Sequence, residues 1–214
     1  GYDELGFLAP GERGQLRFES LLDRVPAALR PLGDVTRIHP IPGGAVFDSE
    51  RALLAWSGGA IRELASFPPE TPHASFQVGE DVFVWTPAGL SRAAPGGLAP
   101  FGAGLLADGP PVALLPLSGG RLLAVGRDGA LNLVAEGSTT PFGPEASKRL
   151  GSLEPVAACL LRDGRIAIGT RRGGVLILAE DGAPSELFDR LNGLPADEIL
   201  SVTPSATGAL WIGT

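Results

Sequence analysis

Methionine is absent from the 214 residues, and lysine, tyrosine and cysteine occur once each. The single thiol, Cys159, permits no intramolecular disulfide; within the apolar run PVAACLL it is expected to pack as a small core residue. There are two histidines, His39 and His73, and with no third donor beside them neither a metal centre nor another cofactor is expected. Basic residues are also scarce: 17 Lys and Arg against 24 Asp and Glu give a net charge of −7. Without a basic stripe, nucleic-acid binding has no electrostatic support. No apolar run approaches the roughly 18 residues of a membrane-crossing helix, so no membrane contact is expected within this segment. No signal peptide is evident, and the lack of an initiator Met leads us to expect a chain processed or excised from longer flanks.

What is present is apolar and turn-rich. Hydrophobic residues make up 44%, enough for a substantial core, while 31 Gly and 20 Pro punctuate short apolar runs. Five of these runs recur: GAVFDSE (44–50), DVFVWT (81–86), RLLAVGR (121–127), RIAIGT (165–170) and ALWIGT (209–214). The position of the Gly in IGT corresponds to Asp48, Trp85, Gly126, Gly169 and Gly213, with spacings of 37, 41, 43 and 44 residues. That period suits a β-propeller blade of four antiparallel strands. An apolar strand A precedes each run, which is strand B; strands C and D follow, with strand A expected to be the most crowded. Helical turns are expected only within 18–30 and 144–150. Another Gly-rich β fold, such as a sandwich, is the rival reading.

The last run breaks off at WIGT, yet the chain begins GYDELGFL. Residues 169–178 (GTRRGGVLIL) match 213–214 followed by 1–8 without a gap. The expected architecture is therefore an all-β propeller forming one domain, 1–214. Its blades are 34–66, 72–109, 110–150, 153–197, and a fifth from 198–214 plus 1–33. Strands C and D from the N-terminus and A and B from the C-terminus would form a composite latch blade, removing two free edges. The competing view is an open excerpt of a propeller with six to eight blades.

The stretch NGLPADEILSVTPSATGALWIGT (192–214) resembles the two-component regulator propeller repeat through Gly193, Leu194, Pro195, Gly208, Leu210, Trp211, Ile212, Gly213 and Thr214. RDGRIAIGTRRGGV (162–175) is similar to a second copy, with Ala167 in place of the Trp. The resemblance implies an extracytoplasmic sensory region of a bacterial histidine kinase or related regulator. It further implies a ligand-sensing or assembly role, with polysaccharide fragments as the best-known ligands.

The residues themselves offer little catalytic chemistry, and no enzyme activity is expected. The Asp-Gly pairs at Asp128, Asp163 and Asp181 lack the alternating-Asp calcium loop and are expected to make hairpin turns. FGAGLLADG (101–109) has no following helix to make a phosphate cradle. Asp34 and Glu198 are the nearest to a glycosidase carboxylate pair, with loop capping the simpler role. Binding is the better-supported function. B–C and D–A loops emerge on one face of a propeller, placing Tyr2, Asp3, Glu4, Arg51, Thr86, Arg127, Asp128, Arg171, Arg172 and His73 there. The ligand-binding candidates among them are Tyr2, Asp3, Glu4, Arg51, His73, Arg127, Arg171 and Arg172. Such a rim suits a small molecule, an oligosaccharide or a partner protein. Trp56, Trp85 and Trp211 are expected to pack between sheets, with sugar stacking the alternative. A structural repeat module without a ligand, and a five-bladed carbohydrate-active enzyme, are the alternative functions.

Overall fold

Runs of four to seven residues between tight turns are too short for stable helices and must pair as strands. The computed structural model, which describes residues 2–11, 14–103 and 109–214, shows this. β1 (Gly6–Pro10) pairs antiparallel with β2 (Leu16–Ser20). Two single 3-10 turns follow at Leu22–Arg24 and Ala27–Leu29, inside the stretch expected to hold helical turns, although 18–20 belong to β2. The first four-stranded sheet is β3 (Val35–Ile41), β4 (Gly44–Ser49), β5 (Ala52–Ser57) and β6 (Ala60–Ser66), in that spatial order. The second is β7 (Ala74–Val78), β8 (Asp81–Thr86), β9 (Gly89–Ala94) and β10 (Gly97–Ala103).

A third sheet holds β11 (Ala113–Leu117), β12 (Arg121–Val125), β13 (Leu131–Ala135) and β14 (Ser138–Pro141), followed by α1 (Pro144–Leu150), where a helical turn was expected. The fourth is β15 (Pro155–Leu160), β16 (Ile166–Thr170), β17 (Val175–Leu178) and β18 (Pro184–Phe188). β19 (Ser201–Pro204) and β20 (Leu210–Gly213) end the chain as a pair. Four four-stranded antiparallel sheets are thus present among the described residues, each with its strands in chain order. Among the described residues β1–β2 and β19–β20 are two-stranded sheets, so the composite latch blade is not confirmed. The glycine run 101–109 lies largely outside the described residues.

Burial is greatest on strands B and C, not on A as expected. β16 and β17 are buried throughout, whereas β3 buries only His39. A middle strand has a neighbour on each side, while an A strand is the edge of its sheet. The chain divides into two compact units, Gly1–Thr86 with Ser91–Ala99, and Pro87–Leu90 with Pro100–Thr214. In the first, alternate residues of one strand serve two different cores. Phe47 and Leu54 pack with Leu5, Leu21 and Leu32, while Val46 and Leu53 pack with Phe67, Val82 and Val84.

The second unit repeats the device. Ile166, Ile168, Leu176 and Leu178 join Leu123, Leu131 and Leu150, whereas Ala167, Val175 and Ile177 join Ile199 and Val202. A strand covered on both faces reads as a continuous apolar run, which is the pattern seen in the sequence. Each fully buried Leu or Ile contributes about 1.5–3 kcal/mol. Cys159 is buried in the second of these cores, which pushes its thiol pKa up to about 11 and leaves it a packing residue.

Candidate functional site

In the first unit the D–A segment 67–73 folds back against the end of β4. The Phe67 N–H donates to Arg51 O (2.8 Å), the Thr71 N–H donates to Pro68 O (3.1 Å), and the Phe67 ring stacks on His73 with centroids 3.8 Å apart. Opposite, Ser49 Oγ donates to Ala52 O and accepts from the Ala52 N–H, tightening the B–C loop that carries Glu50 and Arg51. Between the segment and the loop lies a cleft of about 550 Å³, lined by Thr36, Ser49, Glu50, Arg51, Thr71 and His73, with Pro69, Glu70 and Pro72 completing it.

Behind this cleft sits a polar cluster within otherwise apolar strands. Ser75, fully buried on β7, donates through both its N–H (3.1 Å) and its hydroxyl (2.5 Å) to Asp48 Oδ2. With its proton committed to the carboxylate, the Ser75 hydroxyl accepts from His39 Nε2 at 2.7 Å, which makes that nitrogen the donor. Asp48 Oδ1 lies 3.1 Å from His73 Nε2, while that nitrogen directs its hydrogen bond to Ser49 O at 2.9 Å. His73 Nδ1 meets Thr71 O at 3.1 Å. Both ring nitrogens of His73 therefore face acceptors alone, an arrangement that only the doubly protonated imidazolium satisfies.

The pKa directions agree. Burial alone would lower the His73 pKa, but the adjacent Asp48 carboxylate, together with the Thr71 O and Ser49 O acceptors, raises it above its ordinary 6.5. Burial alone would raise Asp48, but the adjacent His73 ring and the hydrogen bonds from Ser75 hold it below the ordinary 3.8. Burial lowers His39, which the Asp48 charge offsets in part and Arg37 reinforces. Despite its Ser, His and Asp, the cluster is not a catalytic triad. The carboxylate bonds the serine rather than His39, and Ser75 is inaccessible.

Of the residues expected at the site, Arg51 and His73 come together at this cleft. Arg51 also donates to Pro31 O (3.4 Å). The three N-terminal candidates serve local structure in the same unit. Tyr2 is 72% exposed and makes a single β-bridge with Asp34, Asp3 caps the Gly33 N–H (2.7 Å), and Glu4 accepts from Ser20 Oγ (2.6 Å).

In the second unit the loop after β16 carries Arg171 and Arg172. Buried Thr170 organises it, its Oγ1 donating to Gly174 O (2.9 Å) and accepting from the Gly173 N–H (3.0 Å). Arg172 pairs with Glu154 at 2.6 Å, and Arg171 approaches Glu154 and Glu198 at 3.8 and 3.9 Å. Such exposed pairs are worth about 1 kcal/mol or less and leave the guanidinium groups available. Arg172 also lines a cleft of about 390 Å³ with Arg149, Asp189, Leu191 and Asp197. Arg127 is exposed and lines neither cleft.

Asp128, Asp163 and Asp181 each accept from the backbone N–H two residues on, with Gly129, Gly164 and Gly182 at φ near +85°, which are the expected turns. Among the described residues no group of three His, Cys, Asp or Glu is placed to hold a metal ion, and no helix is long and apolar enough to cross a membrane. Trp56 stacks on Phe7 at 4.7 Å and Trp85 is buried, as expected of packing residues. Trp211 instead is 68% exposed, because β20 has a strand neighbour on one side only.

His39, Asp48 and Ser75 were not picked out as a group by sequence reasoning, yet a signal existed. Asp48 occupies the repeat position of Gly169, and Ser75 that of Val202, since Ala74 pairs with Trp85 as Ser201 pairs with Gly213. In the second unit a Cβ on Gly169 would meet Ile199 and Val202 at 2.7 and 3.1 Å, an apolar contact between repeats. In the first unit a carboxylate and a hydroxyl replace that contact.

No protein-family model matches the chain, and no curated protein matches it in sequence. Solved structures do resemble it. The WD40 β-propeller domain of Doa1 superposes with a TM-score of 0.57 at 16% identity, over 85% of this chain and 61% of that one. The extracellular domain of the hybrid two-component system BT3049 from B. thetaiotaomicron gives 0.62 at 18%, over 84% and 27%. That of the one-component system BT4673 from the same organism gives 0.51 at 17%, over 92% and 28%. The fold is thus all-β with four-stranded antiparallel sheets of the propeller kind. The chain spans between about a quarter and three-fifths of the length of these neighbours.

Proposed function

We propose that the protein is a non-catalytic, ligand- or partner-binding sensory propeller, working outside the cytoplasm as the two-component regulator repeat implies. The observation that carries this reading is the cleft beside β4. It offers the Arg51 guanidinium, the Thr36 and Thr71 hydroxyls and two proline faces, a combination suited to a small polar molecule or an oligosaccharide. The extracellular two-component domains and the WD40 domain among its structural neighbours support binding over catalysis. A panel of acidic and neutral oligosaccharides is the test. Binding by at least one member, weakened about tenfold or more by Arg51→Ala, is expected, since one charge-assisted hydrogen bond is worth roughly 1.5–3 kcal/mol. Equal binding by Arg51→Ala would remove this cleft from the reading, and a panel without binders would leave the structural-module alternative.

The proposal includes closure with five blades, in which the free edge of β20 pairs with that of β1. Transferring the β16–β17 register, where Ile166 faces Leu178 and Ala167 faces Ile177, sets Leu210 opposite Leu8 and Trp211 opposite Phe7. That pairing would cover Leu8 and Trp211, which are exposed on the half-blades. Leu8→Cys combined with Leu210→Cys is expected to cross-link within a monomer under mild oxidation, Cys159 being buried. Failure to cross-link, or cross-linked dimers only, would favour half-blades completed by further repeats.

A further inference from the structure

The cleft wall formed by segment 67–73 is attached to β4 through His73. Its ring nitrogens lie 3.1 Å from Thr71 O within the segment and 2.9 Å from Ser49 O on β4, with the Asp48 carboxylate 3.1 Å away. We propose that His73 is a proton-operated clamp, which holds this wall against β4 when doubly protonated and releases it when one ring proton is lost. A neutral imidazole has one N–H for these acceptors, and its other nitrogen then points a lone pair at a carbonyl or carboxylate oxygen. The repulsion is relieved by moving residues 68–73, while Phe67 stays anchored by its N–H to Arg51 O and by its buried ring.

The charged and titratable groups around the ring are Asp48 on β4, Glu50 and Arg51 in the loop after it, Glu70 in its own segment, and His39 and Arg37 on β3 beyond Ser75. Asp48 is the one in contact, and it favours the protonated form. The repeat comparison supports a dedicated function. The same junction in the second unit is packed by Gly169 against Ile199 and Val202, so the fold closes it without charge. The clamp stands whether or not the cleft binds a ligand, because it concerns the wall alone.

Its stabilising effect is complete below the ordinary histidine value of 6.5 and is lost as pH rises through the higher folded value. His39, with its lowered value, works in the opposite sense below 6.5, so overall stability blurs the two and each ring must be read separately. With only two histidines in the chain, long-range 1H–15N spectra of the intact protein do this. At pH 6 His73 is expected to show two protonated ring nitrogens, and His39 is expected to gain its second ring proton only at a lower pH than His73 does. Amide exchange in 67–75, corrected for intrinsic rates, is expected to lose at least tenfold protection between pH 6 and pH 9. His39→Gln should retain that loss, and His73→Gln should show low protection at both pH values. An unprotonated His73 nitrogen at pH 6, or protection that does not change as His73 titrates, overturns the clamp. The wild-type spectra decide this even if a variant does not fold.

Discussion

Asp48→Ala is expected to destabilise the protein by about 3–5 kcal/mol, the usual cost of removing one partner from a buried ion pair. The carboxylate is 2% exposed and accepts both Ser75 donors, so truncation leaves a fully buried N–H and hydroxyl without an acceptor. It also strands the His73 imidazolium, which then gives up its proton more readily. Asp48→Asn keeps the shape and one acceptor oxygen, and a smaller loss of about 1–3 kcal/mol is expected. Urea unfolding followed by tryptophan fluorescence measures both. The sign of the pH dependence is set by the two directions of shift. The Asp48 contribution is present above its ordinary 3.8 and fades as pH falls through the lower folded value. The His73 contribution fades as pH rises through a folded value above 6.5. The deficit of Asp48→Ala should therefore be largest between about pH 4 and 6.5 and narrow on the alkaline side. A deficit under 1 kcal/mol at pH 6 would mean that the pair is not formed.

Gly174→Ala is expected to cost about 4 kcal/mol and to displace the loop bearing Arg171 and Arg172, combining a backbone penalty with a steric one. Gly174 sits at φ +73°, and a Cβ there would lie 1.9 Å from Phe188 O and 2.9 Å from Phe188 C, atoms of the paired strand that no rotamer change can move. Relief requires β18 to shift against β17, breaking the Val175–Phe188 register. The Thr170 Oγ1 to Gly174 O bond that organises the loop goes with it. Gly208→Ala is the control. Its φ is +92° but nothing lies within 4 Å, so only the conformational cost of about 1–2 kcal/mol applies. Comparable losses in the two variants would show that the close approach of β18 is not rigid.

Much of the strand architecture was legible because its causes are local. Short apolar runs, the Gly-containing turns that bound them and a recurrence near 40 residues are all read along the chain itself. They located the four four-stranded sheets, and the helix at 144–150 followed from a short helical pattern. The site was harder to read. Arg51 and His73 were placed on one face by loop position alone, and the structure brings them to one cleft. Asp3 and Glu4 followed from the same rule, yet their side chains are turned to bracing the first unit through Gly33 and Ser20. Loop position states where a backbone emerges, not whether its side chain finds a partner at home. Trp211 was misjudged for a related reason, since packing requires a second sheet edge that β20 lacks among the described strands.

The sequence by itself determined an all-β chain, the strand order of each four-stranded sheet and the turns between strands, because these are set by short apolar runs and backbone preferences within a few residues. Tertiary structure alone decided which faces are buried and that Asp48, Ser75, His39 and His73 form one cluster. Those residues lie up to 36 positions apart on different sheets. Their protonation states exist only because packing removes water and leaves each donor facing a particular acceptor.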